Sequence, residues 1–185
     1  MPLAISTRCL VWILVIAAMS RPAVAQERSR ADEVRSCRQF AQEFYRWYVP
    51  FTQANLKYPA SDVAIKRKPT LFESGLLRAL KADAAAQNQA AGEIVGIDFD
   101  PFVGSQDPAD HYEIRKTSVR GDTCLVEVWR DSPKEKPWRP DKPDVIAEIS
   151  RQSGHWHFKN FRYPEVNGDL ISELAWWRNA RRQHQ

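Results

Sequence analysis

Between Val34 and Phe51, apolar side chains recur at steps of three and four: Val34, Cys37, Phe40, Ala41, Phe44, Trp47, Tyr48 and Phe51. That spacing puts them on one stripe of a helix. Five of these eight are aromatic, and so wide a stripe needs a broad partner such as a sheet. The sequence predicts that this helix starts near Ser29 or Asp32, either of which can cap it, after a frayed polar stretch from Gln26 to Ala31. Pro50 predicts a kink or an end close by.

The rest of the chain supplies the sheet. Past residue 110 the apolar period changes to two, and strands are predicted at Tyr112–Arg120, Thr123–Arg130, Val145–Arg151 and His155–Tyr163. Gly121-Asp122 and Gln152-Ser153-Gly154 supply turns. The Asp131–Asp144 connection holds four prolines and reads as a loop. Before the sheet, Tyr58-Pro59-Ala60-Ser61-Asp62 reads as a turn and Lys66-Arg67-Lys68 as a solvated basic loop. Thr70-Leu71-Phe72-Glu73 matches a capping box opening a helix that runs through Leu76, Leu77 and Leu80 to about Gln89. Gly75 inside it suggests a close approach by another element. Asp169 can cap a last helix with Leu170, Ile171, Leu174 and Trp177 on its apolar side, and Arg178, Arg181 and Arg182 in its last turn complement the helix dipole. Helices, then a four-stranded antiparallel meander, then a closing helix make an α+β domain.

Residues 1–25 have the layout of a secretory signal: Arg8, an apolar run from Leu10 to Met19, and Ala23-Val24-Ala25 as the cleavage site. The mature chain would then be one domain, residues 26–185, in the periplasm or outside the cell. Removing Arg8 and Arg21 lowers the formal charge from +4 to +2. So mild a balance gives no argument for nucleic acid. The apolar run is too short to span a membrane, and no second one follows. Cys9 leaves with the signal. Cys37 and Cys124 remain, and an exported pair is read as a disulfide; two buried free thiols are the alternative.

Residues 97–108 join the two halves and concentrate three aspartates, two prolines and two phenylalanines. Asp98, Asp100 and Asp107 are candidate cation ligands. The spacing matches no EF-hand, and aspartates beside prolines also serve to cap turns. His155 and His157 alternate on one strand, but a zinc site needs more ligands and His111 is the remaining mid-chain histidine. No G-x-S-x-G, P-loop or dinucleotide glycine pattern occurs, and no cofactor is indicated. In the proline-rich loop, Trp138 and Arg139 are the residue types that anchor interfaces. Tyr45, Tyr48, Trp156 and Phe158 are candidates to line a small-molecule pocket between the first helix and the sheet, the basis of an alternative reading as a carrier or enzyme.

Three segments together resemble a bacterial family known as domain of unknown function 3828: Phe44-Tyr45-Arg46-Trp47-Tyr48, then Ile97-Asp98-Phe99-Asp100-Pro101-Phe102 with Gln106-Asp107, then Gly154-His155-Trp156-His157-Phe158 with Asn160-Phe161-Arg162-Tyr163. The resemblance implies an exported envelope protein of Gram-negative type and a cone-like, cystatin-related fold akin to nuclear transport factor two. It brings no catalytic residues. The sequence therefore points to a non-catalytic periplasmic binding protein, with an envelope protein or a toxin as partner.

Overall fold

The structure, a computed structural model, describes residues 21–90, 93–131 and 141–183, with side chains from residue 27. Helix α1 spans Arg21–Thr52, α2 Ala60–Arg67 and α3 Ser74–Gln89, with a 3-10 turn at Pro69–Leu71 before α3. Strands β1 (Tyr112–Arg120), β2 (Thr123–Arg130), β3 (Val145–Gln152), β4 (His155–Tyr163) and β5 (Gly168–Asp169) follow, and α4 (Leu170–Gln183) closes the chain. The strands form one antiparallel sheet in sequence order. The domain is α+β, and the short β5 is a fifth strand beyond the four expected. Most of the signal expected over residues 1–25 lies outside the described residues.

Helix α1 buries Cys37, Ala41, Phe44, Tyr45 and Tyr48. The inner face of the sheet meets it with Cys124, Val126 and Val128 from β2 and Val145, Ala147 and Ile149 from β3. On β4 the alternation is interrupted. Glu148 pairs with Asn160 and Ile149 with Phe158, which leaves Lys159 as an extra residue. A bulge of this kind shifts the facing by one position, so Phe158 and Phe161 both point inward and both are fully buried. Their rings stack at 5.1 Å, and Phe44 sits 4.6 Å from Phe158. The Cys37–Cys124 disulfide crosses this core from α1 to β2.

The first turns of α1 correct an expectation. The helix is already running at Arg21, so neither Ser29 nor Asp32 caps it. Glu27, Arg28, Arg30 and Ala31 are good helix formers, and Arg30 donates to the Val119 carbonyl at 3.2 Å, which ties this turn to β1. Two turns further on, Arg38 donates to the carbonyls of Ile114 and Arg115 at 2.6 and 2.7 Å. β1 ends the sheet, so these arginines occupy carbonyls on an edge strand. Pro50 fits its expectation, since α1 ends at Thr52.

Helix α2 stands where a turn and a basic loop were expected. Ala60, Ala64 and Ile65 are buried at helical spacing, Pro59 pre-sets the entry, and Lys66 and Arg67 occupy the last turn. The capping box at Thr70 is also replaced. Helix α3 begins at Ser74, and the Glu73 side chain makes no cap bond. Phe72 instead bridges Phe158 on β4, and the Glu73 N–H donates to the Phe158 carbonyl at 2.9 Å. The Glu73 carboxylate accepts from the Ser150 hydroxyl on β3. A single residue of strand pairing therefore outcompetes a local cap. Gly75 has open space where a Cβ would go. The close approach is at Gly96, where a Cβ would lie 2.6 Å from Asp83 Oδ2.

Helix α4 is capped by Asp169, which accepts from the Ser172 N–H at 3.1 Å and its hydroxyl at 2.7 Å. Leu170 and Leu174 are buried and Trp177 packs against the core, but Ile171 is exposed. Arg181 does more than face a dipole. It pairs with the buried Asp83 on α3 at 2.7 Å and donates to the Val95 carbonyl at 2.6 Å.

The disulfide joins residues 87 apart. Closing so long a loop stabilises by about 4 kcal/mol in the chain-entropy model. Guanidinium unfolding of the Cys37→Ser/Cys124→Ser double variant should show a loss of that order against the oxidised wild type, and thiol titration of the unfolded wild type should find Cys37 and Cys124 unreactive.

Candidate functional site

The segment from Ile97 to Pro108 folds into a tight turn clamped by three tyrosines. Tyr48 donates to Asp100 Oδ2 at 2.5 Å, Tyr45 to the Phe102 carbonyl at 2.8 Å and Tyr163 to the Pro101 carbonyl at 2.9 Å. The other Asp100 oxygen accepts from the N–H groups of Phe102 (3.0 Å) and Val103 (3.3 Å). The turn closes by Asp100 N–H to Ser105 and Gly104 N–H to Asp100 backbone bonds. Gly104 has φ +67°, and a Cβ there would meet the Asp144 carbonyl at 3.1 Å. Both facts demand glycine. Burial pushes the Asp100 carboxyl up to about 6, against the pull of Tyr48 and the two amides. Burial also holds the Tyr45, Tyr48 and Tyr163 hydroxyls well above their ordinary range.

The three aspartates of this segment do not converge. Asp98 accepts from Gln106 Nε2 at 2.9 Å, Asp100 is used up in the turn, and Asp107 is exposed, its carbonyl accepting from Ser105. The histidines are separate as well. His155 is exposed, and His157 Nδ1 lies 2.9 Å from the Thr70 carbonyl. Among the described residues no group of three histidine, cysteine or acidic side chains is placed to hold a metal ion.

The pocket expected between α1 and the sheet is filled. Tyr45, Tyr48 and Phe158 are buried, and Phe102 plugs the space between them, with its ring 5.2 Å from Tyr48, 5.2 Å from Phe72 and 5.0 Å from Phe161. Trp156 lies at the margin, its indole N–H donating to Ser36 at 3.1 Å. Trp138 and Arg139 lie outside the described residues.

Among the described residues, recesses open at the surface instead. A cleft of about 660 Å³ runs between residues 51–62, the second half of α3 and residues 97–108. Asp62, Asp98 and the edge of Asp100 line it. The Asp62 carboxyl is held above its ordinary value by burial and by Asp83. A second groove, of about 780 Å³, lies between the C-terminal ends of α3 and α4. Its recessed part is Ala86, Ala90, Val95, Trp177 and Ala180; its exposed rim includes Gln89, Asn179 and Gln183. Ile94 and Trp176 stand out of the same rim, 66% and 59% exposed, and Trp176 packs edge-on to Trp177 at 4.8 Å. The groove is not visible in the sequence because the Ile94 wall is distant from Trp176 along the chain and is tied to α4 through Arg181, which bonds both Asp83 and the Val95 carbonyl.

No family model and no curated protein matches the chain. Among solved structures it is similar to a chain in the crystal structure of the type VI native effector–immunity complex Tae3–Tai3 from Ralstonia pickettii. Identity is 20% and the TM-score 0.48, over 68% of this chain and 93% of that one, a likeness too distant to transfer fold detail or activity.

The Asp100 carboxyl gives the site a pH signature. Its folded value of about 6 lies above the ordinary 3.8, so the folded state holds the proton more tightly than the unfolded chain. The stabilisation is complete below about pH 4 and is lost as pH rises through about 6, by up to about 3 kcal/mol. Denaturation midpoints measured from pH 4 to pH 7 should fall across that window, and Asp100→Asn should remove most of the slope.

Proposed function

We propose that this chain is an exported, non-catalytic binding protein that holds another envelope protein, or a toxin, through side chains at the ends of its helices. The observation that carries the reading is the tryptophan groove. A recessed apolar floor with exposed polar side chains on its rim, Gln89, Glu93, Asn179 and Gln183, has the anatomy of a protein interface. Trp176 and Ile94 are large apolar side chains standing together in water, the feature that marks a docking site on a soluble domain. The rim amides of Gln89, Asn179 and Gln183 can bond a partner's backbone while its apolar side chains enter the groove. The buried disulfide suits an oxidising compartment. The signal-like residues 1–25 and the resemblance to an exported envelope family point the same way. Trp138 and Arg139 would add a second contact region on the proline-rich loop.

Affinity purification from periplasmic extract tests the reading. The wild-type chain should enrich a defined protein. Trp176→Ala should weaken its capture by about 30-fold, the effect of losing a contact worth roughly 2 kcal/mol. Trp138→Ala reports separately on the proline-rich loop. Equal recovery with Trp176→Ala, from a variant that melts like wild type, would remove the groove from the interface.

A further inference from the structure

Beyond the groove, the junction of α1 and α2 carries a different kind of surface. Lys66, Arg67 and Lys68 end α2 in consecutive positions, and Lys66 and Arg67 are exposed. They are not a loose run. The Lys68 ammonium lies 4.6 Å from the centroid of Trp47, and the Arg67 guanidinium 5.3 Å from that of Phe51. The two rings pack edge to face at 5.0 Å, one helical turn apart on α1. Among the described residues, none of the three cations has a carboxylate within 4 Å, whereas seven other basic side chains do.

Placement at a helix C-terminus accounts for basic residues there. It does not account for two of them lying over aromatic rings. A cation over a ring face gives up some of its freedom and some of its water, so these charges are already positioned when a ligand arrives. Pre-positioned charge lowers the ordering cost of binding. Arg67 also keeps the planar fork that takes a carboxylate with two parallel bonds.

We infer that this ledge is the docking point for an acidic segment of the partner protein, two or three carboxylates within one turn or a short extended stretch. The inference rests on the reading of the chain as a binding protein and names the chemistry of its partner. A lipid surface fits less well, because the rings beneath the cations, Trp47 and Phe51, are half-buried and covered by them rather than free to insert.

The test uses the full chain and a fluorescein-labelled synthetic peptide of alternating glutamate and serine, followed by anisotropy. Binding should weaken at least tenfold in Arg67→Glu/Lys68→Glu. It should be unchanged in Arg178→Glu/Arg182→Glu, which alters an equal charge at the far helix end. It should fall as salt rises from about 50 to about 200 mM, as expected for exposed charges. Arg67→Gln/Lys68→Gln repeats the measurement with less perturbation of the fold, and thermal melts confirm that each variant is folded. The ledge is overturned if the peptide does not bind at low salt. It is also overturned if both charge-reversed pairs lose binding equally, or if vesicles of anionic phospholipid, and not the peptide, bind in an Arg67- and Lys68-dependent way. If Trp176→Ala reduces recovery of the natural partner and Arg67→Glu/Lys68→Glu does not, the ledge fails while the binding reading stands. If the peptide binds at the ledge but periplasm yields no partner, the binding reading fails instead.

Discussion

Three tyrosine hydroxyls hold the turn within residues 97–108 against the helix and the sheet. Tyr45 and Tyr48 reach from α1 and Tyr163 from the end of β4, and all three donate to acceptors in residues 100–102. A turn buried this deeply carries backbone carbonyls away from water, and each would cost on the order of 1–3 kcal/mol if left unpaired. The tyrosines meet that demand while their rings fill the core. Phe102 can then be driven fully into the space between helix and sheet. Without the turn the aromatic stripe of α1 would have a hole at its centre, and the cleft and groove would lose the wall that residues 97–108 and the neighbouring loop provide.

A second set of polar bonds fastens the helical layer to itself. Asp83 is buried on α3 and receives Arg181, Gln87 and the Ile97 N–H. Breaking a buried ion pair by removing one partner leaves an uncompensated charge and costs about 3–5 kcal/mol. This constellation therefore fixes where α4 lies on α3. With Leu170, Leu174 and Trp177 also turned to the core, Trp176 is left exposed.

The regular elements were legible because their signals are local. Alternation predicted β1, β2 and β4 at their observed ends, and the 3-to-4 spacing of aromatics identified the buried face of α1. The disulfide followed from compartment and an even count. What the sequence concealed was set by contacts between distant residues. Glu73 left its cap for Phe158 and Ser150. Lys159 bulged so that Phe161 could turn inward. Asp100, which by composition resembled a cation ligand, was consumed by Tyr48 and two amides. Helix α2 is a different case. Ala60, Ala64 and Ile65 carried a readable period, masked by Pro59 and the basic run on either side. The candidate surfaces were the least legible part, since exposure of Trp176 or stacking of Lys68 on Trp47 depends on which helices come to lie side by side.

The arginines along β1 have an effect on how such a domain can change. Arg30 and Arg38 occupy three carbonyls of the edge strand, and the opposite edge is a two-residue strand followed at once by a helix. A sheet with its borders taken up in this way offers little for another chain to extend. What remains to vary at these borders is side chains, since the edge carbonyls that Arg30 and Arg38 take are already bonded. Substitutions at the helix ends can then change the surface one residue at a time, with no renegotiation of the edge bonding beneath them.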